Sequence, residues 1–426
     1  MSRFAWLIVA AWPMVVVGQT PAPIPDAAPD TLESIKADRK AAFDSMTEAI
    51  QQAGREIQSA SKSPRKEDRE SGTSAVVMKV KTARAALRAR MLGLVDRALA
   101  LARSRPGESE GLAAASWVAM EATNQTGDDF DERGDAAFRL LADAPTLDDT
   151  AIGLAIFAAE GLVLRCPEAE AFLRSVVSRS QSSDLVTIAR YELGSYLAEA
   201  ARTRDRLDAP ISGPELAATL TKAHLDRCRA FDAYKLRSEA EALLEQVVRE
   251  QGNEPRTLGG QAAGELYRIR HLRIGQPAPE LVGEDVDGAP IRLGDFRGKV
   301  VVLSFWSTRD PQSMSLIAQE KALDAAMRGR PFALVGVNGD APEDRAKVKE
   351  TVAREGITWR SFQAGGRDGA IPSKWGVRRW PTTYVIDAEG VIRDDWDGRK
   401  LDPAAFQPLV HAAEEKAGEN DMGGPS

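Results

Sequence analysis

The sequence of 426 residues predicts two unlike parts, an N-terminal all-α array of helical hairpins and a C-terminal α/β layer domain. Between about Val76 and Arg270 the chain is rich in Ala, Leu and Arg, with apolar residues at helical spacing broken by short polar or Pro-bearing turns. Composition then shifts near Ile274, and five of the 8 Trp (Trp306, Trp359, Trp375, Trp380, Trp396) lie beyond that point. There, continuous apolar runs of strand length, Lys299 to Phe305 and Phe332 to Asn338, alternate with helical patterns, as expected for strands covered on both faces.

The elements follow in order. Residues Met1 to Gly18 carry one early positive charge, Arg3, and then an apolar run from Phe4 to Val17, which is a secretory signal pattern. That run is shorter than the roughly 20 residues of a bilayer span, so cleavage near Gly18 is expected, with a retained anchor as the alternative. A protein exported this way works in the periplasm or cell envelope, or is secreted, and meets a membrane only if the segment is kept. Residues 19–30 form a Pro-rich linker, and a helical array is expected over 31–273.

Within the array, Phe43, Met46, Ile50, Ala53, Ile57 and Ala60 trace a narrow helical seam, read as a helix packed on its own domain. The charge run Lys62 to Gly72 reads as a solvated loop. Val186 to Ala200 resembles the first helix of a tetratricopeptide unit, although no clean repeat at that period exists. From Ser238, Ala240, Leu243, Leu244, Val247 and Val248 follow the amphipathic template, and Gly252 with Pro255 supplies the stop. The α/β domain is expected over 274–417, closing on a helix from about Pro403 to Ala417, with a disordered tail at 418–426.

Composition removes several function classes. Lys plus Arg number 56 against 63 Asp plus Glu, a net charge of -7, so no electrostatic footprint for nucleic acid exists. The 2 Cys and 3 His exclude a zinc-finger array or a disulfide framework. His224 and Cys228 are four apart, yet two ligands without a third make no metal site. No phosphate-binding Gly-rich loop, HExxH or GxSxG string occurs, so neither a nucleotide nor any other cofactor is expected.

Five stretches of the C-terminal part carry a family resemblance: Ile274 to Leu281, Val286 to Thr308, Leu334 to Asp340, Gly356 to Phe362 and Trp375 to Arg393. In this order they resemble the secreted thioredoxin-fold family of TlpA/ResA type, thiol-disulfide oxidoreductases within the AhpC/TSA redoxin superfamily. The resemblance implies a thioredoxin-like fold for the last third of the chain. It also implies a Cys-x-x-Cys pair at the start of the first long helix, where the helix end favours a thiolate. In the matching stretch, Phe305 to Ser313, Asp310 stands at the attacking position and Ser313 at the resolving one. Neither can form a disulfide, and no Cys occurs anywhere in this domain, so no catalytic residue is intact. Asp310 followed by Pro311 reads instead as a helix N-cap with its first-turn proline.

By the same resemblance Pro381 is cis, and Trp380, Pro381 and Thr382 line a shallow peptide-sized groove beside Asp310, with Trp306 next to it. Arg309, Arg378 and Arg379 would give the groove a basic rim, the competing reading being three solvated arginines. Cys166 and Cys228 lie in the helical region, as one available disulfide or as two buried inert thiols. The expected function is a non-catalytic module binding an envelope protein or peptide. The alternative, which the family label implies, is a thiol-disulfide oxidoreductase or antioxidant redoxin that borrows Cys166 or Cys228.

Overall fold

A computed structural model describes residues 30–60, 66–125, 127–254, 257–367, 369–377, 379–396 and 401–422. The signal segment and the linker before Asp30 lie outside them. No helix among the described residues is long and apolar enough to cross a membrane.

The N-terminal part is all helical: α1 (Leu32–Ala60), α2 (Lys66–Ser104), α3 (Ser109–Asn124), α4 (Asp128–Ala142), α5 (Asp149–Ala159), α6 (Glu168–Arg179), α7 (Ser183–Leu207), α8 (Ser212–Thr219), α9 (Lys222–Ala230), α10 (Ala233–Gln251) and α11 (Leu258–His271). Local chemistry sets many of the starts. Asp148, Ser182, Thr221, Asp232 and Thr257 each cap a helix by accepting a backbone N–H with the side chain. Helices α1 and α2 run antiparallel, as ion pairs at both ends show: Lys79 meets Glu56 near one, Arg97 meets Asp30 and Asp38 near the other. The remaining helices stack in succession, α3 on α4 and α5, α4 on α6, α6 on α7, α7 on α10 and α10 on α11. One continuous core from Leu32 to Ile269 results, rich in Ala because small residues let helix axes approach closely.

Two boundaries differ from expectation. The loop read at Lys62 to Gly72 is in part helix, since α2 begins at Lys66. Its Lys, Glu and Arg residues are strong helix formers, so charge there did not signal coil. At the other end, α15 (Pro403–Met422) continues past Ala417, so the tail expected from 418 begins inside a helix, and only 423–426 fall outside the described residues. A single Gly, Gly418, costs a helix about 1 kcal/mol, too little to stop it.

The C-terminal part is an α/β domain with a mixed sheet. A short antiparallel ribbon, β1 (Val282–Glu284) and β2 (Pro290–Arg292), precedes β3 (Val300–Trp306), α12 (Pro311–Ala326), β4 (Phe332–Asn338), α13 (Arg345–Glu355), β5 (Ser361–Gln363), α14 (Ala370–Lys374), β6 (Thr382–Ile386), β7 (Ile392–Trp396) and α15. The sheet order is β5-β4-β3-β6-β7; β4 lies parallel to β3 and β5, and β6 antiparallel to β3 and β7. Strand β3 is buried along its whole length, and its residues alternate between two cores. Val301, Leu303 and Phe305 pack with Trp375 and Tyr384, whereas Val300 and Val302 pack with Leu316 of α12 and Phe406 of α15.

The two parts share a buried charged seam along the outer strand β7. Asp395 binds Arg206 (2.5 Å) and Arg202 (3.3 Å) of α7, with the Arg206 and Asp395 side chains only 5% and 7% exposed. Asp394 accepts the backbone N–H of Ser212 at the start of α8 (2.6 Å). The helical array thus packs on the outer strand through its acidic side chains.

Candidate functional site

Three chain segments meet where β3 and β4 end. Parallel register pairs Trp306 with Asn338, and antiparallel register pairs Phe305 with Thr382. The loop Ser307 to Asp310, the turn Asn338 to Asp340 and the cis Trp380–Pro381 bond therefore come to one end of the sheet, beside the N-terminus of α12. Such strand ends are where open α/β folds place their ligands.

Asp310 is the N-cap of α12, with φ -104° and ψ 114°. One carboxylate oxygen, Oδ2, accepts both the Ser313 N–H (2.7 Å) and the Ser313 hydroxyl (2.8 Å). The two residues at the positions of the family's thiols are thus bonded to each other, and Ser313 is 1% exposed. The other oxygen, Oδ1, lies 3.6 Å from the Arg367 guanidinium. Arg367 also lies over the indole of Trp380, 5.4 Å from its ring centroid.

Beneath the loop sits a second carboxylate, that of Asp340. Asp340 reads as an ordinary loop residue, but it is 2% exposed and holds the site together. Its Oδ1 accepts the Ser307 hydroxyl (2.7 Å), and Oδ2 accepts the Thr308 N–H (2.8 Å) and the Asn338 amide (3.0 Å). Burial alone would raise its carboxyl, but hydrogen bonds from Ser307, Thr308 and Asn338 hold it below the ordinary value. The available signal was position: Asn338 and Asp340 directly follow a buried parallel strand.

The expected groove residues divide. Trp306 does not line it; the side chain is 3% exposed, packs with Val286, Ile317 and Val348, and donates from Nε1 to the Ser361 hydroxyl (3.3 Å). Period-two alternation sends it to the same face as Val300 and Val302, under the helices. Trp380 is 8% exposed, wedged edge-on to Phe305 and against Gly339, where any β-carbon would lie 2.0 Å from the indole. Pro381 is buried, and half-buried Thr382 donates its hydroxyl to the Arg379 carbonyl (2.7 Å). Of the basic rim, Arg309 is 63% exposed and paired with Asp344 (2.6 Å), Arg379 is exposed, and Arg378 lies outside the described residues.

Cys166 and Cys228 are both free and buried in the helical array. Cys166 donates weakly to the Asp131 carbonyl (3.4 Å), and burial, aided by Asp131 and Asp135, pushes its thiol up to about 12. Burial raises the Cys228 thiol as well. His224 turns toward Asp131 (3.7 Å) and Asp128, whose ligand atoms with its own fall within 4.8 Å of one another. Asp131 is already held there by Arg165 (2.7 Å), a resident cation.

Comparison with known proteins agrees with this geometry. Residues 274–395 match the AhpC/TSA family. Thiol-disulfide oxidoreductase ResA of Bacillus thuringiensis subsp. konkukian is 28% identical over 137 residues, covering 32% of this chain and 77% of that protein. ResA of Halalkalibacterium halodurans is 29% identical over 120 residues, covering 28% and 66%. Among solved structures, a thioredoxin-family thiol:disulfide interchange protein from Chlorobium tepidum covers 32% of this chain and 94% of its own, at 26% identity and a TM-score of 0.28. The C-terminal domain is therefore TlpA/ResA-like, matching the AhpC/TSA family and similar in sequence to thiol-disulfide oxidoreductases, with an aspartate and a serine where two thiols would stand.

Proposed function

We propose that this protein is an exported, redox-inactive thioredoxin-like module that binds a protein or peptide segment in the cell envelope. One observation carries the reading: Asp310 and Ser313 occupy the reactive positions and are hydrogen-bonded to each other. Disulfide exchange requires a thiolate to attack a disulfide sulfur and a second thiol to release the mixed disulfide. A carboxylate capping a helix and a buried hydroxyl supply neither. Cys166 and Cys228 give the borrowed-thiol alternative no support, since both are buried with raised thiols and belong to the other part of the chain. The groove is what the family resemblance implies at this strand end, beside the cis Trp380–Pro381 bond. Export rests on the charge and apolar pattern of Met1 to Gly18.

The test is insulin disulfide reduction by the full chain. The wild-type protein is expected to be inactive, and the double variant Asp310→Cys, Ser313→Cys to gain activity, because only the sulfurs are absent. Wild-type activity that disappears in Cys166→Ser or Cys228→Ser would overturn the redox-inactive reading. Arg379→Glu is the matching binding variant, being exposed; Trp380→Ala is not, since its indole is part of the core.

A further inference from the structure

The groove reading leaves open what kind of segment is recognised, and a residue outside every sequence motif supplies a chemical answer. Arg367 lies in the loop between β5 and α14, just after Gly366, whose φ of 104° suits only glycine. Its guanidinium lies over the Trp380 indole, 5.4 Å from the ring centroid. That platform is rigid, because Trp380 is fixed by Gly339 and Phe305. An arginine held over an aromatic face by cation–π attraction keeps a planar fork of N–H donors, the shape that fits a carboxylate.

None of those donors makes a hydrogen bond among the described residues. The contact with Asp310 Oδ1 is 3.6 Å, beyond hydrogen-bond distance, and the Arg367 side chain is 49% exposed. Asp310 spends its Oδ2 on the helix end and Ser313, so it orients Arg367 by charge without closing over it. The other basic groups differ: Arg309 is turned away into an ion pair with Asp344, and Arg379 has no aromatic support among the described contacts.

Resting on the groove reading above, we propose that Arg367, held over Trp380, is the specificity-determining residue of the groove, and that the segment bound there is an acidic peptide whose carboxylate it engages. The contact is half-exposed, so it falls with ionic strength, as an ion pair outside the core must.

The test uses the full chain and two terminally blocked hexapeptides that differ only in a central Glu or Gln, titrated calorimetrically at low and high salt. The Glu peptide is expected to bind about tenfold tighter at low salt, with the preference shrinking at high salt. Arg367→Ala should bring the Glu peptide to the level of the Gln peptide; Arg367→Lys, which keeps charge but loses the planar fork, should retain about a threefold preference. Unaltered thermal unfolding of both variants checks the fold. A Glu preference that survives in Arg367→Ala, or equal binding of the two peptides, overturns this inference while leaving the groove reading in place. Binding of neither peptide overturns both.

Discussion

Glu320→Gln is expected to stabilise the C-terminal domain at neutral pH while changing little in acid. Glu320 lies on α12, is 2% exposed, and its Oε1 has no hydrogen-bond partner among the described residues. Burial raises its carboxyl from 4.5 to about 7. The sign follows from linkage. Below the unfolded value both states carry the proton, and the group adds no pH dependence. As pH climbs from there toward about 7, the unfolded chain ionises while the folded one resists, so stability is lost over that window. At about 1.4 kcal/mol per unit the loss is roughly 3 kcal/mol. Gln keeps the shape and cannot ionise, so the variant avoids it. Urea unfolding followed by Trp fluorescence should give nearly equal stabilities near pH 4.5, with the variant ahead by roughly 2–3 kcal/mol at pH 8. Asp394, raised by burial to about 6, tilts both proteins alike, so the diagnostic quantity is their difference. A variant no more stable at pH 8, or equally favoured at both pH values, would refute the reasoning.

Three further outcomes follow from the geometry. Asp395→Ala removes the buried carboxylate that Arg206 and Arg202 share and should cost roughly 1.5–3 kcal/mol, seen as a lowered melting temperature; an unchanged melt would mean the seam contributes nothing. Asp340→Ala strands the Ser307 hydroxyl and the Thr308 N–H, so a loss of roughly 1–3 kcal/mol should accompany faster amide exchange confined to residues 307–310. Both cysteines should resist thiol-specific reagents in the native protein and react only on unfolding, and rapid labelling of either would contradict their burial.

Much of the architecture was legible in the chain because local signals agreed with the global pattern. Strand β4 matches the apolar run Phe332 to Asn338, and α10 stops at Gly252, whose φ of 74° only a glycine adopts easily. Asp310 caps its helix as its sequence with Pro311 implies. Charged stretches were harder to read. Lys66 to Gly72 looked like solvent-loving loop but extends α2, because helix propensity and hydrophilicity are independent properties of Lys and Glu. Trp306 looked like a groove residue by proximity to Asp310, although strand alternation turns its side chain to the opposite use.

Sequence by itself determined the two-part order, the thioredoxin-like pattern and the loss of both sulfurs, since these depend on residue identity and on neighbours a few positions away. Tertiary structure alone decided that Asp340 clamps the Ser307 loop from 33 residues downstream, that Arg367 rests on Trp380, and that Asp395 finds Arg206 across 189 residues. A carboxylate or guanidinium is written the same way whether solvated or paired. Only folding brings its distant counterion within reach and strips away the water that would have made the pairing negligible.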